Sequence, residues 1–84
     1  MAEWTTPVCT RLIPEEETYS CSTALTVDYK RLGHVSYFEF ADGRVQVISA
    51  SAWFPGETRS LEIPDGCTVD EAKASVEAVL ALEN

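Results

Sequence analysis

Four side chains in this 84-residue chain carry the thiol or imidazole groups of a structural zinc site or of thiol catalysis: Cys9, Cys21, Cys67 and the single His34. Zinc sites commonly draw two ligands from one tight turn, as in C-x₂-C, and no such pair occurs here. The wide spacing predicts no metal and no cofactor. A cysteine nucleophile needs an imidazole base converging on one thiol, with His34 the one candidate base, and a serine hydrolase needs a G-x-S-x-G elbow that is missing. Cys21 falls among alternating apolar positions and Cys67 precedes a helix, so both read as small buried hydrophobes. An odd cysteine count with wide spacing predicts reduced thiols in a cytoplasmic protein.

The remaining chemistry is carboxylate chemistry. Fourteen Asp and Glu against six Lys and Arg give a formal net charge of -8, and the excess is divided evenly between the two halves of the chain. A field of that sign repels phosphate and anionic lipid and attracts basic surfaces. Arg11, Lys30, Arg31, Arg44, Arg59 and Lys73 are scattered, with only Lys30 and Arg31 adjacent, so the clustered basic face of a nucleic-acid binder is absent. The glycines mark turns and form no phosphate loop. Met1 to Thr6 lacks the basic start and apolar run of a secretion signal, and no run approaches the ~20 apolar residues of a membrane helix. Protein binding is the function class left. Glu15, Glu16, Glu17, Asp28, Glu39, Asp42, Glu57 and Glu62 are the candidate contacts, since carboxylates held on a rigid sheet can take the place of phosphates and pair with arginine.

These groups must be positioned by one small domain, given 45% hydrophobic residues and a length that buries about 60 to 65% of the unfolded surface. From Tyr19 to Tyr29, the apolar-leaning residues Tyr19, Cys21, Thr23, Leu25, Val27 and Tyr29 alternate with polar or small ones, the pattern of a half-buried strand. Pro7 to Ile13 is β-prone and is separated from it by a Pro14-Glu15-Glu16-Glu17 turn. Lys30 to His34, with Gly33 inside, reads as the next connection, leading into a strand from Val35 to Ala41. Asp42-Gly43 predicts a two-residue type I′ hairpin, followed by a strand from Arg44 to Trp53 or Phe54. Pro55-Gly56 turns the chain into a fifth strand from Thr58 to Ile63.

Thr68-Val69-Asp70-Glu71 is a capping box, and Cys67 and Ala72 occupy the positions of a hydrophobic staple around it. Val69, Ala72, Val76, Val79 and Leu80 then recur at helical spacing, with Glu77 and Glu83 off the stripe, which predicts a helix over about 69–82. The expected fold is α+β, an antiparallel meander of four or five strands with one C-terminal helix on one face. A helix of that length is too short to cover the whole sheet. Phe38, Phe40, Trp53 and Phe54 therefore cannot all be buried beneath it; the remainder either wrap around the edge of the core or form a partner or dimer surface.

In size, compactness and acidic balance the chain resembles the small inhibitors that phages and mobile elements direct against bacterial defence, the anti-CRISPR and anti-restriction proteins. Those proteins share neither fold nor motif, so the resemblance transfers no residues. It implies a stoichiometric, non-enzymatic inhibitor, monomeric or homodimeric, that blocks the basic nucleic-acid-binding surface of a host complex in the cytoplasm. The acidic field predicts direct contact with neither nucleic acid nor membrane. Ile63 to Ala72 (IPDGCTVDEA) is similar to the sheet-to-helix passage of HicB-type antitoxins, without that family's downstream DNA-binding region. The alternatives are a small thiol-dependent enzyme using a cysteine with His34, and a self-assembling or antitoxin-like subunit.

Overall fold

A computed structural model describes residues 1–13 and 15–82. Pro14 and Glu83, assigned above to the first turn and to the helix's polar side, lie outside the described residues. The fold is α+β: an antiparallel six-stranded sheet with one C-terminal helix. The strands are β1 (Glu3–Trp4), β2 (Val8–Ile13), β3 (Glu16–Val27), β4 (Lys30–Glu39), β5 (Val45–Phe54) and β6 (Glu57–Ser60), and the helix is α1 (Val69–Leu82). Among the described residues, no helix is long and apolar enough to cross a membrane.

β1 and β2 both pair antiparallel with β3, on the side away from β4, so they are two halves of one interrupted edge strand. Thr5 fills the interruption. Its N–H donates to the Ala24 carbonyl, its hydroxyl accepts from the Ala24 N–H, and its carbonyl accepts from the Thr23 hydroxyl at 2.6 Å. These bonds satisfy Thr23, which is buried on the core face. β1 carried no sequence signal beyond two residues, too few for any periodicity to register.

The alternation in β3 holds from Cys21 to Leu25 except at Ala24, which is buried as well, and it stops before Tyr29, which is fully exposed in the turn. Cys21, Thr23 and Leu25 are buried beside Tyr37, Val35 and Gly33 of β4, and these in turn pair with Val47, Ala50 and Ala52 of β5. The helix lies over this face, against β4 and β5, with Ala72 and Val76 buried and Val69, Val79 and Leu80 packed around them. Its start is as the capping box requires: the Thr68 hydroxyl accepts from the Glu71 N–H at 3.0 Å and Glu71 Oε1 from the Thr68 N–H at 3.1 Å. Its far side is held by Trp4, whose indole N–H donates to Glu77 Oε1 at 2.9 Å while Lys73 lies over the ring.

The connections differ from the sequence expectation in three places. The β3–β4 turn is Asp28-Tyr29, with φ of 47° and 67°, and not Lys30 to His34, which is strand. The type I′ geometry is thus formed by two residues without the glycine that marks it in sequence. Asp42-Gly43 belongs instead to a three-residue loop in which the Gly43 N–H donates to the Phe40 carbonyl and Gly43 alone has positive φ, the type I turn plus αL residue of a bulged hairpin. The last strand ends at Ser60; the Leu61 N–H still donates to the Ala50 carbonyl of β5 at 2.8 Å, and Leu61 and Ile63 pack on the core. Pro55-Gly56 forms a two-residue turn as expected, Gly56 at φ 76° supplying the positive value a type II turn needs after proline.

Candidate protein-binding site

An antiparallel meander sends alternate turns to opposite ends of the sheet, and this sorts the eight candidate carboxylates. The β2–β3 turn and the β4–β5 loop share one end. There Glu15, Glu16, Glu17 and Asp42 line a cleft of about 510 Å³ together with Thr18, Phe40, Ala41 and Arg44. Glu39, the last residue of β4, pairs with Tyr19 next to this cleft. Four of the eight therefore come together in the cleft, and Glu39 lies at the same end but on the sheet face of Cys21 and Tyr37, opposite to Phe40. Asp28 and Glu57 lie at the other end, in the β3–β4 turn and at the start of β6, and Glu62 follows β6. All eight are exposed.

The clustered end differs from the other in what neutralises it. Arg44 Nε donates to Asp42 Oδ2 at 2.6 Å and the Arg44 N–H to Asp42 Oδ1 at 3.0 Å. These bonds hold the Asp42 carboxyl below its ordinary range, the backbone donor first and the guanidinium second. Arg44 also lies over the Phe40 ring, 5.1 Å from its centroid. Among the described residues, Glu15, Glu16, Glu17 and Glu39 form no ion pair. At the other end Glu57 is bonded to Arg59 at 2.9 Å. The clustered end is thus a carboxylate-rich surface with one aromatic ring and an arginine already committed to Asp42.

The candidate thiol and zinc residues do not assemble as a set. Cys9 and Cys21 sit directly opposite each other on β2 and β3, Cα atoms 4.1 Å apart, and are joined in a disulfide. This corrects the expectation of three reduced thiols and of Cys21 as a plain core hydrophobe. Sequence spacing could not show it, because the pairing depends on strand register. Cys67 is the free cysteine, half-buried at the helix entrance. His34 pairs with Ala24 and Ser51 on the sheet face opposite to the helix, so it does not face Cys21.

That open face carries the polar row Ser22, Ser36 and Ser49, with a 2.6 Å hydroxyl–hydroxyl bond between the last two. Beside it, His34 and Trp53 are nearly parallel at 6.4 Å, and Arg31 lies over the same indole. Burial and the Arg31 charge push the His34 pKa down. Phe38 and Phe40 pack together at 6.3 Å on this side, whereas Phe54 is half-buried against the core on the other, with Arg59 over its ring. The aromatics are therefore divided between the two faces, and those on the open face are half-buried by one another and by arginine. Strand parity distinguishes Trp53 from Phe54, but the partners of Trp53, His34 and Arg31, come from β4 and emerge only with the β4–β5 register, and Arg59, which lies over Phe54, comes from β6.

No family model, curated protein or solved structure matches this chain.

Proposed function

We propose that the chain is a stoichiometric protein-binding inhibitor whose carboxylate-lined end engages the basic, nucleic-acid-contacting surface of a partner complex, in the manner of phage-encoded antagonists of host defence. The observation that supports this reading is the gathering of Glu15, Glu16, Glu17 and Asp42 in one cleft at an end of a rigid sheet where Glu39 also lies, with four of these five carboxylates outside any ion pair among the described residues. Unpaired surface carboxylates contribute little to folding and repel one another, whereas opposite an arginine-rich groove they steer association and pair bidentately. Phe40 adds an apolar contact at the same place. A cytoplasmic target implies that Cys9 and Cys21 work in a compartment that reduces disulfides, which makes the state of that pair part of the protein's behaviour.

The test is competition. The tagged protein is used to recover partners from a bacterial lysate at low salt, with and without added duplex DNA or single-stranded RNA. The reading expects a nucleic-acid-binding complex that is displaced by one of these polymers. Partners indifferent to both would overturn it.

A second reading, self-association, is favoured by β2. This edge strand exposes Val8 at 70%, Leu12 at 49% and Ile13 at 45%, with Arg11 its one charge, and it lacks the multiple charges that usually protect an edge from pairing. The surface is not the aromatic one expected from sequence. Mass measured against concentration tests it, with Leu12→Lys expected to hold the protein monomeric.

A further inference from the structure

We propose that Cys9, Cys21 and Glu39 form a redox-gated site for a thiophilic divalent metal such as zinc. The donor atoms of these three residues lie within 4.8 Å of one another, and no other group of three such residues does so among the described residues. Two are the sulfurs of the disulfide, so the site exists only after reduction. The C-x₂-C rule fails to find it because the two sulfurs come from facing strands, where one sheet pairing does the work of one tight turn.

The geometry suits a tetrahedral ion. Zinc–sulfur bonds of about 2.3 Å place two thiolates about 3.8 Å apart, which a rotamer change provides for cysteines whose Cα atoms are 4.1 Å apart. Glu39 needs to approach by only about an ångström to complete a third bond. Cys9 and Glu39 are exposed, so solvent takes the fourth position, while Cys21 is buried. Two thiolates and a carboxylate select zinc or cobalt over magnesium and calcium. Arg11, two residues along β2 from Cys9 and bonded to Tyr19, offsets part of the negative charge.

The steps balance. A dithiol reductant passes two electrons and two protons to the Cys9–Cys21 bond, leaving as its own disulfide and giving two protein thiols. The metal ion then displaces both thiol protons to solvent and forms two metal–sulfur bonds. Either crosslink, disulfide or metal, ties the β2 edge to β3.

Anaerobic titration of cobalt(II) into phosphine-reduced Cys67→Ser protein tests this, followed by absorbance and by thermal melting with zinc(II). The site requires a thiolate-to-cobalt charge-transfer band with the intense visible bands of a four-coordinate ion, both absent from the oxidised protein and lost in Cys9→Ser. It requires cobalt affinity at least about tenfold weaker in Glu39→Gln, and a zinc-dependent rise in melting temperature for the reduced form alone. A folded reduced protein without the band, affinity unchanged in Glu39→Gln, or a reduced protein that zinc does not restore to the folded state would each overturn the proposal.

Discussion

Gly33 of β4 is the floor on which Val76 of α1 stands. A Cβ built at Gly33 would collide with Val76 Cγ1 and come within 3.0 Å of the Ser51 carbonyl oxygen, and Gly33 itself is buried. Its φ lies outside the left-handed region, so the requirement is closeness and not conformation. Gly33→Ala is expected to destabilise the protein by about 1–3 kcal/mol through overpacking. Urea denaturation measures it, and a double-mutant cycle with Val76→Ala should show the two changes to be coupled. Equal stability of Gly33→Ala and the parent would mean that the helix does not rest on this strand.

Tyr29 makes the opposite case. It is fully exposed and sits at φ 67°, where a side chain carries a steric penalty and this one gains no packing in return. Tyr29→Gly should therefore stabilise the hairpin by up to about 1 kcal/mol, read as a rise in urea midpoint at unchanged slope.

Gly33 and Tyr29 also mark how far the sequence could be read. Periodicity in β3 and the capping box at Thr68 depend on neighbours in the chain, and both were legible. A glycine inside a strand and a turn without glycine are set by what packs across from them. Reading Gly33 as flexible moved the turn by several residues, because a close helix approach and a turn call for the same residue type. The candidate site was legible in kind, since charge is composition. Its division between two ends was not, because that depends on which turns share an end of the sheet.

The Cys9–Cys21 bond crosslinks positions 12 residues apart. Reducing it should cost about 3 kcal/mol in the chain-entropy account. Metal-free unfolding with and without a phosphine reductant measures this, and a loss confined to β2 would appear as faster amide exchange in Val8–Ile13 while β4 and β5 stay protected.

His34 gives the fold a pH dependence of known sign. Burial, and then the Arg31 charge, lower its folded pKa from 6.5, so the unfolded chain takes up the proton first as pH falls. The His34 contribution is fully favourable above 6.5, weakens as pH drops from there to the folded pKa, and is constant below. Imidazole proton shifts should titrate with a midpoint under 6.5. Arg31→Gln should raise that midpoint while leaving it below 6.5, because burial is the larger cause. Asp42 has the complementary behaviour: bonded to Arg44, its carboxyl is lowered from 3.8, and its contribution is present above that pH and lost as pH falls through its folded value.

The central claim is that one end of the sheet, and not the acidic coat as a whole, meets the partner. Partner capture from lysate across a salt series tests this directly when two variants of equal charge change are compared. Glu15→Gln with Glu17→Gln alters the clustered end, and Asp28→Asn with Glu57→Gln alters the other. The account predicts that the first pair weakens capture and flattens its salt dependence while the second leaves both near the parent, with circular dichroism unchanged in each. Equal loss in both pairs, or loss in the second alone, would contradict it.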